Sequence, residues 1–117
     1  MAEIISRSGK EVTVAVTVRL AGSLWEMEEA IREATNALGC CATQEALKRF
    51  DTDGSPIRVG ALKLTARGRD PKRYQTPYGA VEVERYVYQT SHGGRIHCPL
   101  EQQARIVRGA TPLFASQ

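Results

Sequence analysis

Four tyrosines stand close together in the second half of this 117-residue chain: Tyr74, Tyr78, Tyr86 and Tyr88, with Lys72 and Arg73 immediately ahead of the first. Cations interleaved with aromatic faces suit a nucleic acid, because guanidinium and ammonium groups neutralise phosphates while rings pack on sugars and exposed bases. Lys63, Arg67 and Arg69 extend the basic stretch backwards, with Asp70 the single acid between positions 63 and 73, and Arg95 follows the tyrosines. The candidate DNA-contacting set is therefore Lys63, Arg67, Arg69, Lys72, Arg73 and Arg95 for phosphates, and Tyr74, Tyr78, Tyr86 and Tyr88 for sugars or bases. The net charge of +3 is unevenly divided: residues 1–60 hold seven Lys or Arg and nine Asp or Glu (−2), and residues 61–117 hold nine and four (+5). Charge by itself favours a solvated loop over a phosphate surface.

Other chemistry is less well supported. Asp51-Thr52-Asp53-Gly54-Ser55 imitates the D-x-D-G-[ST] motif of haloacid-dehalogenase-type phosphatases, whose first aspartate attacks phosphorus. That motif should end a buried strand, whereas Leu47-Lys48-Arg49-Phe50 ahead of it reads as amphipathic helix. As a calcium loop it fails because glycine falls at the fourth position and Leu62 stands where a bidentate glutamate is needed. His92 and His97 have no oriented nucleophile beside them, and Glu82 and Glu84 on one strand face are ordinary surface charge next to Arg85. Cys40, Cys41 and Cys98 are odd in number and lack zinc-ligand spacing, so reduced thiols are expected, with no metal and no cofactor. No catalytic residue is assigned.

The elements that must position these residues are those of a small α+β domain spanning residues 1–117. Strict alternation from Val12 to Leu20 predicts a half-buried strand, and Ser23-Leu24-Trp25-Glu26 has the spacing of a helix capping box. A helix from about Leu24 to Leu38 follows, stopped by Gly39, with a second short helix over Thr43 to Phe50. Leu24, Met27, Ile31, Ala34 and Leu38 form a stripe along the first helix, and its length of about two heptads favours a core face over a coiled-coil seam. After the Asp51–Pro56 loop, strand residues resume at Ile57, with a bulge expected at Gly60-Ala61 and a turn at Arg67-Gly68-Arg69-Asp70-Pro71. The tyrosine-bearing run then forms a hairpin turning at Pro77-Tyr78-Gly79, and Ser91–Gly94 turns into a strand at Arg95 to Cys98. A helical turn follows within Leu100–Val107, and Thr111-Pro112 has the form of a helix start. The expected architecture is a small antiparallel sheet with hairpins packed against one or two N-terminal helices. With 42% hydrophobic and 25% charged residues, no apolar run of membrane-helix length and no secretory signal, a cytoplasmic protein is expected.

Several longer words add to this pattern: Phe50-Asp51-Thr52-Asp53-Gly54-Ser55-Pro56-Ile57, Tyr74-Gln75-Thr76-Pro77-Tyr78-Gly79, Val81-Glu82-Val83-Glu84-Arg85, Val87-Tyr88-Gln89-Thr90 and Cys98-Pro99-Leu100-Glu101. In this order, from about Ser23 to Phe114, they resemble the N-terminal region of bacterial insertion-sequence transposases of the Kra group. The resemblance implies a longer protein whose later RNase H-like domain carries DDE-type acids that bind two metals and cut and join DNA. Those acids have no matching positions in this sequence, and Asp51, Asp53, Glu82 and Glu84 do not take their place. The implied role is that of a non-catalytic module or truncated remnant that binds transposon-end DNA or helps assemble the transposase, as a homo-oligomer or with the remainder of the protein. The alternative is a structural or protein-interaction module without DNA binding.

Overall fold

A computed structural model describes residues 1–117 as an α+β fold built on two antiparallel sheets joined by one long helix. Strands β1 (Ala2–Ser8) and β2 (Glu11–Val16) form an N-terminal hairpin, from Ala2 opposite Val16 to Ser8 opposite Glu11. The alternation at Val12–Val16 does form a strand, but it ends four residues before Leu20, and β1 carried no sequence signal strong enough to predict it. A two-stranded ribbon is marginal alone. Here it rests on helix α1 (Leu24–Lys48), tied down where Arg7 Nε meets Glu45 Oε1 at 2.5 Å and where Arg49 Nη1 donates to the Gly9 carbonyl at 3.1 Å.

The capping box starts α1 as expected: Ser23 Oγ accepts the Glu26 N–H at 3.2 Å, and the Glu26 carboxylate accepts the Ser23 N–H at 3.2 Å. Gly39 does not stop the helix. It lies inside a continuous 25-residue α1, and the expected second helix is the C-terminal part of this one. A Cβ at Gly39 would sit 2.2 Å from Tyr78 Cγ, so this position needs the smallest residue for the close approach of a ring rather than for a chain reversal. The expected core stripe also divides. Met27 is half-buried and Ala34 is buried beside Met1 and Ala2 of the hairpin, whereas Leu24, Ile31 and Leu38 remain 70%, 46% and 38% exposed, because the hairpin covers only one flank of the helix.

The second sheet has strand order β3-β4-β5-β6, with β3 Ile57–Val59, β4 Leu62–Thr76, β5 Gly79–Thr90 and β6 Gly93–His97. Gly60-Ala61 is the two-residue turn between β3 and β4, with Gly60 at φ 62°, instead of a bulge. The bulge lies further on, between Ala66 and Gly68. Arg67–Pro71, expected as a turn, belongs to β4. Pro71 stands opposite Glu84 and is tolerated because β3 pairs only with Leu62–Leu64, leaving that edge of β4 free of a partner strand. The turn at Pro77-Tyr78 and the turn before β6 form as expected.

The core is the cluster of Leu47 from α1, Tyr74 from β4, Val81 and Val83 from β5, and Leu100 from α2 (Pro99–Gln103). Side chains replace a missing strand along the outer edge of β5: Gln44 Nε2 donates to the Glu82 carbonyl at 2.6 Å, and the Asp51 carboxylate accepts the Tyr86 N–H at 3.2 Å. The C-terminal segment docks through Gln75, which donates to the Gly109 carbonyl and accepts from Thr111 N–H, before α3 (Pro112–Ala115). No helix is long and apolar enough to cross a membrane.

Candidate nucleic-acid interface

The β4–β5 register divides the predicted contact residues between two faces and the core. On one face Arg73 opposes Glu82, and Arg69 opposes Tyr86 while its guanidinium lies 3.6 Å from Glu84 and 5.4 Å from the Tyr86 ring centroid. Only Arg69 is within ion-pair distance of a carboxylate here; Arg73 faces Glu82 across the strands without an ion pair. The charges of Arg69, Arg73, Glu82 and Glu84 sum to zero, so this face offers a phosphate little net attraction.

Tyr74 and Tyr88 are fully buried, which removes both from the set of base-contacting rings. Tyr88 hydroxyl donates to the Ser55 carbonyl at 2.8 Å and accepts from Thr52 Oγ1 at 2.6 Å, so it locks the Asp51–Pro56 loop onto β5. The aspartates of that loop are also engaged: Asp51 caps the Tyr86 N–H, and Asp53 accepts both Ser55 Oγ at 2.5 Å and Ser55 N at 2.9 Å. The Ser55 hydroxyl, with the backbone N–H, holds the Asp53 carboxyl below its ordinary range. The phosphatase-like spelling is therefore a loop whose carboxylates serve the fold. Tyr78 lies in the hairpin turn against Gly39 with its ring 39% exposed, and Tyr86 is half-buried over Gly54.

Tyr74 belongs to a polar cluster inside the second face. Arg85 is buried to 6% side-chain exposure and donates through Nη1 to Glu101 at 2.9 Å and to Tyr74 hydroxyl at 3.0 Å, through Nε to the Asp70 carbonyl at 3.0 Å, and through Nη2 to the Asp70 carboxylate at 3.2 Å. Tyr74 hydroxyl donates to Glu101 at 2.7 Å, and Lys72 Nζ reaches the same carboxylate at 3.0 Å. Burial pushes the Tyr74 phenol up, reinforced by its bond to Glu101. Burial would also lift the Glu101 carboxyl, but Tyr74, Lys72 and Arg85 outweigh it and hold the group low. Burial raises the Cys98 thiol, so this cysteine is not an activated nucleophile. Lys72 is consequently committed to Glu101 and is not a free phosphate ligand.

The uncompensated cations lie on the same face, further along. Arg58 on β3 stands directly opposite Lys63 on β4, both exposed and neither within ion-pair distance of a carboxylate. Like charges placed opposite each other in a ladder repel. Two residues beyond Lys63 on this face, Thr65 opposes Gln89, whose side-chain oxygen accepts from Arg67 Nη1. Gln89 and Val87 share a face by the alternation of β5, and Val87, Arg95 and Lys72 line one cleft of about 630 Å³. Arg58, Lys63 and Arg67 thus mark one end of one sheet face, and Arg95 lines the cleft beside it together with Asp70, Lys72, Arg85 and Glu101. The β3–β4 tip also extends past the core, since even its inward pair, Val59 and Leu62, is 40% and 56% exposed. Arg58 was absent from the sequence-derived set because its partner is five residues away around a turn that only a two-residue hairpin places opposite. Recognising Gly60-Ala61 as that turn would have found it.

No family model, curated protein or solved structure matches the chain.

Proposed function

We propose that this protein is a non-catalytic, cytoplasmic DNA-contacting module of an insertion-sequence transposase of the Kra group, and that it meets the phosphate backbone with the β3–β4 end of its second sheet. The observation that carries the DNA contact is the cross-strand pair of Arg58 and Lys63, held opposite each other with no carboxylate partner and continued by Arg67 and Arg95. A phosphate between two such cations relieves their mutual repulsion and releases condensed counterions from DNA. The family assignment is supported by the ordered words between Phe50 and Glu101. Tyr74 and Tyr88 are buried and Tyr86 stands opposite Arg69 on the other face, so the interface is one of cations with little stacking.

Anisotropy titration of a labelled duplex tests the contact. With each phosphate contact contributing roughly eightfold at 0.1 M salt, replacing Arg58 and Lys63 together by Ala lowers affinity about 60-fold. Replacing Arg69, paired with Glu84, and Arg73, opposite Glu82, both on the other face, lowers it far less. Equal losses from the two double variants, or no wild-type binding at low salt, would refute the proposed surface.

A further inference from the structure

The chain is far from compact. Its Cα radius of gyration is 17.7 Å and its extents are 61 × 30 × 20 Å, whereas a compact domain of this length has a radius near 13 Å, by roughly 2.2·N^0.38. Its accessible surface is 8332 Å², against about 6,300 Å² for a compact monomer of 12.9 kDa. The excess, on the order of 2,000 Å², exceeds the roughly 800 Å² that each partner contributes to a standard interface. Part of the uncovered apolar surface lies along α1, where Leu24, Trp25, Ile31 and Leu38 are exposed.

One side of that helix is covered by no strand and meets the second sheet only where Tyr78 of the β4–β5 turn borders it. At 100° per residue, Leu24, Glu28, Ile31, Thr35, Leu38, Ala42 and Ala46 fall within about 40° of a common line. Large side chains, Leu24 and Ile31, occupy its N-terminal half, and both are exposed. Its C-terminal half is a shallow apolar groove of about 380 Å³, bordered by Thr35, Leu38, Gly39, Ala42, Ala46 and Tyr78. Knobs at one end and a small-residue groove at the other make a surface complementary to itself when two copies run antiparallel. With the two-fold axis at Thr35, Leu24 of one copy falls on Ala46 of the other and Ile31 falls at the level of Gly39, against the partly exposed Tyr78 ring that covers that glycine, and the reverse contacts follow by symmetry. The charges agree: residues 24–33 carry four glutamates against one arginine, while Lys48 and Arg49 end the helix and Glu45 is already paired with Arg7. Antiparallel pairing brings the acidic half of each helix beside the basic end of its partner.

We propose that a second copy of this chain covers the exposed stripe, giving a two-fold dimer through antiparallel α1 helices. This does not depend on DNA binding. Sedimentation equilibrium of the full chain across micromolar concentrations is expected to show twice the 12.9 kDa chain mass. Ile31→Glu is expected to raise the dimer dissociation constant about tenfold or more without changing the far-ultraviolet circular dichroism. Ala46→Glu, on the other half of the stripe, is expected to act in the same direction, so that poor folding of one variant leaves the other as the test. Thr35→Cys is expected to form a disulfide-linked dimer under mild oxidation well beyond any formed by the wild-type protein, whose Cys40 and Cys41 lie off the stripe. A monomer at every concentration, a dimer indifferent to both glutamate variants, or a Thr35→Cys protein that cross-links no better than wild type would overturn the proposal.

Discussion

Glu101 should matter more to stability than its position in a five-residue helix suggests. It accepts from Arg85, Tyr74 and Lys72, and Arg85 is the most deeply enclosed charge in the cluster, with 6% of its side chain exposed against 26% for Glu101. Removing one partner of a buried pair costs about 3–5 kcal/mol, because the other charge is left desolvated. Asp70 still holds Arg85 but is itself 63% exposed, and Glu101 is partly solvated. A discounted loss of about 2–3 kcal/mol is therefore expected for Glu101→Ala. With a urea m-value of about 1.5 kcal/mol/M, the midpoint falls by about 1.3–2 M, measured by circular dichroism. Arg85→Met should cost less, since it removes the buried charge and leaves Glu101 with Lys72 and Tyr74. The Glu101 carboxyl is held below its ordinary value of 4.5 in the folded protein. Its contribution is therefore complete above that value and is lost as pH falls through the lower folded value. Glu101→Gln should flatten the acid limb of a stability–pH curve. A loss below about 0.5 kcal/mol for Glu101→Ala, a larger loss for Arg85→Met, or an unchanged acid limb in Glu101→Gln would refute the assignment of Arg85 as a charge that needs this partner.

Two further perturbations test the close contacts of the tyrosines. Gly39→Ala gains up to about 1 kcal/mol of helix propensity but places a Cβ 2.2 Å from Tyr78 Cγ; overpacking of about 1–3 kcal/mol should win, giving a lower thermal midpoint, and a raised midpoint would contradict it. Tyr88→Phe strands the Ser55 carbonyl and the Thr52 hydroxyl and should cost about 1–2 kcal/mol in urea unfolding, with the effect disappearing if the loop is not anchored there.

Local signals in this chain read well, and contacts distant in sequence decided the rest. Ser23 and Glu26 make their capping box within four residues, and the hairpin at Pro77-Tyr78 is encoded by its own turn, so both were legible. Gly39 and Pro71 carried strong breaker signals and were misread for the same reason. Gly39 answers to Tyr78, a residue on another element, and Pro71 is permitted because β3 is too short to pair alongside it. The tyrosines were read along the chain as an exposed aromatic set. Tyr74 is withdrawn by Glu101 and Arg85, and Tyr88 by the Asp51–Pro56 loop, partners that adjacency along the chain does not reveal. Basic residues were likewise grouped by proximity in sequence, whereas the strand register puts Arg69 and Arg73 on one face beside Glu84 and Glu82, puts Lys63 and Arg67 on the other, and adds Arg58.

The same contacts give the longer words a physical sense. Phe50–Ile57 contains the carboxylate and hydroxyl groups that hold Tyr86 and Tyr88, Tyr74–Gly79 contains the ring that fits Gly39, and Cys98–Glu101 supplies the carboxylate for Arg85. Each word has its partner in another word or in α1. Such mutual dependence constrains several distant segments together.

The most direct test of the proposed DNA-contacting surface is the salt dependence of binding. Four phosphate contacts, by Arg58, Lys63, Arg67 and Arg95, predict that log K falls against log salt with a slope of about −3.6, and that Arg58→Ala with Lys63→Ala brings the slope to about −1.8. A slope unchanged by that pair of substitutions, or one reduced as much by Arg69→Ala with Arg73→Ala, would contradict it.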